Sequence, residues 1–91
     1  MQITEITIHP TKEALVRAYV NIVFDNCFMV EEIRIMEAPM GLFVSFPAKR
    51  QSDGNYMELA YPADAETGQM IQGIILAEYR KLVAESDDKP T

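Results

Sequence analysis

Lys49 and Arg50 stand side by side in FPAKRQSDG (Phe46 to Gly54), between an apolar run and an Asp-Gly turn. Adjacent cations on a loop carried by a rigid sheet can hold phosphate oxygens, Lys as a point charge and Arg as a planar fork. They can equally be a solvated charge pair beside a turn. Tyr56, Tyr61 and Phe43 are aromatics of the kind on which bases stack, although aromatics at strand positions more often serve as packing.

The other candidate residues lack the partners their chemistry needs. Glu31-Glu32 suggests paired carboxylates, yet successive strand residues point to opposite faces and do not share a substrate. His9 is the sole histidine and Cys27 the sole cysteine. One cysteine excludes an internal disulfide, and the pair leaves too few ligands for a structural zinc site. Ser45 and Ser52 have no evident base, and there is no GxGxxG, P-loop or nucleophile-elbow spacing. The sequence therefore reads as non-enzymatic, with no catalytic residues, no cofactor and no metal.

The elements that would position Lys49 and Arg50 follow from the hydropathy period. Ile3 to Ile8 is rich in Ile and Thr and stops at His9-Pro10, which predicts a first strand. From Ala14 to Phe24 every even position is apolar, the pattern of a half-buried strand. Asp25-Asn26 tolerates the positive φ of a tight hairpin turn, so the next strand returns antiparallel. That strand, Phe28 to Met36, changes apolar parity at Glu31-Glu32, and a β-bulge there would reconcile its halves. Met40, Leu42, Val44 and Phe46 form a fourth strand ending at Pro47. After the Asp53-Gly54 reversal, Met57, Leu59 and Tyr61 alternate with Tyr56, Glu58 and Ala60 as a fifth, closing a hairpin whose loop carries the basic pair.

Beyond Pro62 the period becomes 3.6, with Ile71, Ile74, Ile75, Tyr79, Leu82 and Val83 on one stripe of an amphipathic helix from Asp64 to Val83. Asp64 is its expected N-cap, and Arg80-Lys81 favour its C-terminal end. The expected fold is α+β, an antiparallel sheet of about five strands with one C-terminal helix packed on it. Residues 1–84 make a single domain, and 85–91 an acidic, disordered tail.

At 91 residues, such a chain buries only roughly 60–65% of the surface its unfolded form exposes, so a monomer is marginal. Its hydrophobic content of 48% is too high for disorder, while its apolar runs are far shorter than a membrane span of about 20 residues. Nothing at Met1-Gln2 resembles an export signal, and a cytoplasmic location is expected. The net charge of −6 argues against a strongly basic nucleic-acid binder.

FMVEEIRIMEAPMGLFVSFPAKR (Phe28 to Arg50), the Asp53-Gly54 turn, ELAYP (Glu58 to Pro62) and MIQGIILAEYRKL (Met70 to Leu82) together resemble the SpoVG family, stage V sporulation protein G. The resemblance covers nearly the whole chain. GLFVSFPAKR is its most specific segment, close to the family's Gly-x-Phe-Val-x-x-Pro-x-Lys signature. It implies a small bacterial α+β homodimer that binds DNA or RNA and regulates septation or sporulation-type gene control, a role that fits Lys49 and Arg50 as phosphate contacts; Tyr56 and Tyr61 are secondary candidates on their stacking chemistry alone. If a dimer presents both pairs to a duplex, about four phosphates are neutralised, and log affinity falls with log salt at a slope of roughly −3.6. The chain departs from the family pattern at Met57, Gly68 and Met70, where basic residues are expected, and at Tyr61, where a histidine is expected. These departures favour weaker binding, and they support an alternative: an acidic module of the same fold that acts through protein partners.

Overall fold

Along Val16–Phe24 the side chains of Ala18, Val20, Ile22 and Phe24 are buried, while those between them remain partly or fully exposed. This is the expected outcome of a period-2 apolar pattern with one face against a core. The computed structural model describes residues 1–87. Strands β1 (Ile3–Pro10), β2 (Val16–Phe24), β3 (Phe28–Ala38) and β4 (Gly41–Ser45) form an antiparallel meander in the order β1-β2-β3-β4. Two short strands, β5 (Ala48–Arg50) and β6 (Tyr56–Glu58), make a separate antiparallel ribbon. Helix α1 (Ala65–Asp87) follows. The α+β class with one C-terminal helix agrees with the sequence reading.

The main sheet has four strands, the expected fourth among them as β4, but the expected fifth does not join it and pairs as β6 with residues expected as loop. Pro47 has no N–H to extend the β4 ladder, which ends at Ser45. The Pro47 carbonyl instead accepts the Leu59 N–H at 2.8 Å, fastening the base of the ribbon. Lys49 and Arg50 therefore lie in a strand, not in a loop.

The β2–β3 turn and a bulge in β3 are two of the features that set the register. Asp25 and Asn26 take φ of 49° and 56°, and the Cys27 N–H closes the β2–β3 turn on the Phe24 carbonyl at 3.0 Å. The start of β1 holds this turn. Gln2 and Asp25 exchange two hydrogen bonds of 2.8 Å, and the Asn26 N–H donates to Thr4 Oγ1 at 2.9 Å. At the bulge, Val20 pairs with Ile33 but Ile22 pairs with Val30, so β3 carries one extra residue. Glu32 absorbs it at φ 65°. The bulge returns Ile33 and Ile35 to the buried face, as the change of parity required.

Ile71, Ile75 and Leu76 of α1 complete the core with Ile33, Ile35, Val44 and the four buried residues of β2. Asp64 caps α1, its Oδ2 accepting the Thr67 N–H at 3.4 Å. The helix runs on to Asp87, beyond the last apolar position Val83, so Arg80 and Lys81 are not in its last turn. Their expected role at the helix end does not hold, and Lys81 instead lies 3.6 Å from Glu78. Helix thus covers residues 85–87 of the expected tail, and 88–91 lie outside the described residues.

Candidate nucleic-acid interface

The ribbon is built around its turn. The Gln51 N–H donates to the Asn55 carbonyl at 2.7 Å and the Gly54 N–H to the Gln51 carbonyl at 3.0 Å. Asp53 Oδ1 accepts the Asn55 N–H at 3.0 Å, while Gly54 supplies φ 89°, a conformation that L side chains rarely adopt. These bonds fix the register as Ala48 opposite Glu58, Lys49 opposite Met57 and Arg50 opposite Tyr56.

Because side chains alternate along a strand, this register sends Lys49 and Arg50 to opposite faces of the ribbon. The two cations, adjacent in sequence, thus do not share a face. One face carries Arg50 and Tyr56 with Ala48 and Glu58, and the other carries Lys49 and Met57. All six residues are exposed, Tyr56 at 67% and Met57 at 47%. Formally the ribbon is neutral, with Asp53 and Glu58 offsetting the two cations. Its chemistry comes from placement, not from bulk charge.

Three cations elsewhere are engaged, while Lys12 and Arg80, like the ribbon pair, have no carboxylate within salt-bridge distance among the described residues. Arg17 Nη2 donates to Glu37 Oε1 at 2.6 Å, and that hydrogen bond and charge push the Arg17 pKa up. Arg34 lies 5.8 Å from the ring centroid of Tyr19 on the sheet face away from the helix. Lys81 is near Glu78. Among the described residues neither Lys49 nor Arg50 has a carboxylate within salt-bridge distance.

Tyr61 is not part of this arrangement. It is exposed, but it lines an apolar cavity of about 420 Å³ with Met1, Phe28, Phe46, Pro62 and Ile71, where the sheet meets the start of α1. Phe43 is on the sheet face opposite buried Val44 and is also remote in register from the ribbon. The pairing of Arg50 with Tyr56 was missed in the sequence, although a hairpin centred on Asp53 would have placed residues 50 and 56 opposite each other. Among the described residues no three His, Cys, Asp or Glu side chains converge to hold a metal, and no helix is long and apolar enough to cross a membrane.

A four-stranded meander backed by one helix, with an exposed cation-bearing ribbon inserted between β4 and α1, defines a small α+β fold. The SpoVG family model matches residues 1–81. A protein of Anaeromyxobacter sp. (strain Fw109-5) is 39% identical over 92 residues, covering 100% of this chain and 95% of its own length. One from Clostridium acetobutylicum is 39% identical over 90 residues, covering 98% and 95%, and one from Bdellovibrio bacteriovorus 38% over 81, covering 89% and 75%. All three carry the name "Putative septation protein SpoVG". The chain belongs to the SpoVG family.

Proposed function

We propose that this chain is a non-catalytic, cytoplasmic regulator that acts as a homodimer and binds DNA or RNA through the β5–β6 ribbon, in the septation context that the names of its relatives carry. The observation behind this reading is that Lys49 and Arg50 are exposed and unpaired on an element with no buried residue. A ribbon that contributes nothing to the core is free to serve a ligand, and an exposed cation without a carboxylate partner is available to phosphate.

Self-association is supported by unsatisfied surface. The accessible area is 6743 Å², against about 5,400 Å² for a compact monomer of this mass. Among the described residues β1 pairs only with β2, leaving an eight-residue edge, whereas on β4 the Val44 N–H donates to Gln72 Oε1 of α1 at 3.2 Å. A second copy on the open edge would satisfy its ladder groups.

A titration of pooled, labelled DNA and RNA at low salt tests the binding claim, which requires saturable anisotropy changes that weaken as salt rises. Absence of binding to either pool contradicts it. The second reading, a module that docks protein partners, then takes precedence, and it is favoured by the apolar cavity at Phe28 and Tyr61 and by the acidic net charge.

A further inference from the structure

We propose that the Arg50–Tyr56 face of the ribbon holds one unpaired nucleotide, the Tyr56 ring stacking on its base and the Arg50 guanidinium binding phosphate, so that the chain prefers single-stranded nucleic acid to duplex. This rests on the nucleic-acid reading above and adds to it the form of the ligand.

Three observations carry it. The first is register: Arg50 and Tyr56 are directly opposed on β5 and β6, and opposed residues have Cβ atoms about 4.5–5.5 Å apart. A planar cationic fork and an aromatic ring on one face supply the two contacts made by non-sequence-reading single-strand binders, backbone charge and base stacking. The second is vacancy: Tyr56 is 67% exposed, and among the described residues the cation lying over an aromatic ring is Arg34 on Tyr19, so Arg50 does not occupy the Tyr56 ring face. The third is charge. The chain carries −6, and a duplex presents about one phosphate charge per 1.7 Å, so the body repels a duplex more strongly than a more sparsely charged single strand.

In a duplex both faces of each base are already stacked and closed to Tyr56. The opposite face of the ribbon offers no comparable site, since Lys49 is paired there with Met57, which has no ring. Lys49 acts on that side as a phosphate contact indifferent to strand state.

The test is an anisotropy titration at low salt of a short mixed-sequence oligonucleotide, as DNA and as RNA, each single-stranded and annealed to its complement. The proteins are wild type, Tyr56→Ala, Tyr56→Phe, Arg50→Ala and Lys49→Ala, each checked for an unchanged melting temperature. Single strands bind wild type more tightly than duplex. Tyr56→Ala weakens single-strand binding on the order of tenfold and leaves duplex binding unchanged, while Tyr56→Phe keeps it because the ring and not the hydroxyl makes the contact. Arg50→Ala weakens single strands more than Lys49→Ala does. The DNA and RNA arms show which sugar is preferred. If wild type binds but favours duplex, or Tyr56→Ala weakens both forms equally or neither, the inference is wrong while the nucleic-acid reading stands. If wild type binds no oligonucleotide at all, both fall together.

Discussion

Arg50 and Lys49 are neighbours in the chain but meet different surroundings, because a strand turns successive side chains to opposite faces. The electrostatic expectation changes accordingly. If each subunit of a dimer offers one ribbon face, about two phosphates are neutralised, and the slope for a single strand is about −1.4, not roughly −3.6. Affinity should fall about sevenfold between 50 and 200 mM salt. A single-strand slope of about −2.8 or steeper would mean that both faces, or further cations, engage together. Tyr19 allows a separate residue-scale check. The Glu13 carboxylate as hydrogen-bond partner, then burial, raise its pKa above the ordinary tyrosine value. A raised native pKa means that this contribution to stability is fully present below the unfolded value of about 10 and is lost as pH rises through the higher native one. The alkaline absorbance difference between wild type and Tyr19→Phe should therefore have its midpoint above 10, and a midpoint at or below 10 would contradict the Glu13 contact. The residues of the proposed interface, Lys49, Arg50 and Tyr56, were picked out from the sequence by residue type. Their division between two faces was not, because it depends on whether residues 48–50 form loop or strand.

Elements were most legible where burial and local turn chemistry agree. The apolar alternation of β2, the positive-φ turn at Asp25-Asn26 and the bulge at Glu31-Glu32 all follow from residue pattern, and each is present. The bulge is testable because Glu32 takes φ 65°. An L residue in that region costs about 1–2 kcal/mol, so Glu32→Gly should raise stability by about 0.5–1 kcal/mol despite the flexibility of glycine in the unfolded chain. Glu32→Val should lower it, and equal denaturation midpoints for all three would place the strain elsewhere. Ile75 is fully buried, and Ile75→Ala should cost about 2–5 kcal/mol. An unchanged midpoint would remove it from the core. Two boundaries were not legible. The ribbon detaches from the sheet because Pro47 interrupts the ladder, whereas the alternation around Met57 is equally consistent with a continuous sheet. Helix α1 outlasts its apolar stripe because Ala84 and Glu85 are favourable helix formers that leave no mark on hydropathy periodicity.

At the scale of the molecule, a radius of gyration of 14.1 Å exceeds the about 12 Å of a compact domain of this length. One sheet face has no helix on it, the β1 edge is open, and large apolar side chains such as Phe28 and Met29 remain exposed. A surface of this kind is expected to be covered by a second copy, and light scattering at micromolar concentration should give twice the 10.3 kDa chain mass. A stable monomer under those conditions would contradict the homodimer. A homodimer would also matter for the proposed binding, since it would join two nearly neutral ribbons into one bivalent surface. Phosphate binding by the ribbon is tested most directly by a low-salt anisotropy titration of DNA and RNA with wild type and with the Lys49→Ala, Arg50→Ala double variant, after matching melting temperature and dimer mass. Both substitutions are on exposed side chains, so the fold should be unaffected. Wild type is expected to bind saturably and salt-sensitively, and the variant to lose at least tenfold, on the scale of one to two charge-assisted contacts. Equal affinity and an equal salt slope in the two proteins would show that the ribbon is not the contact.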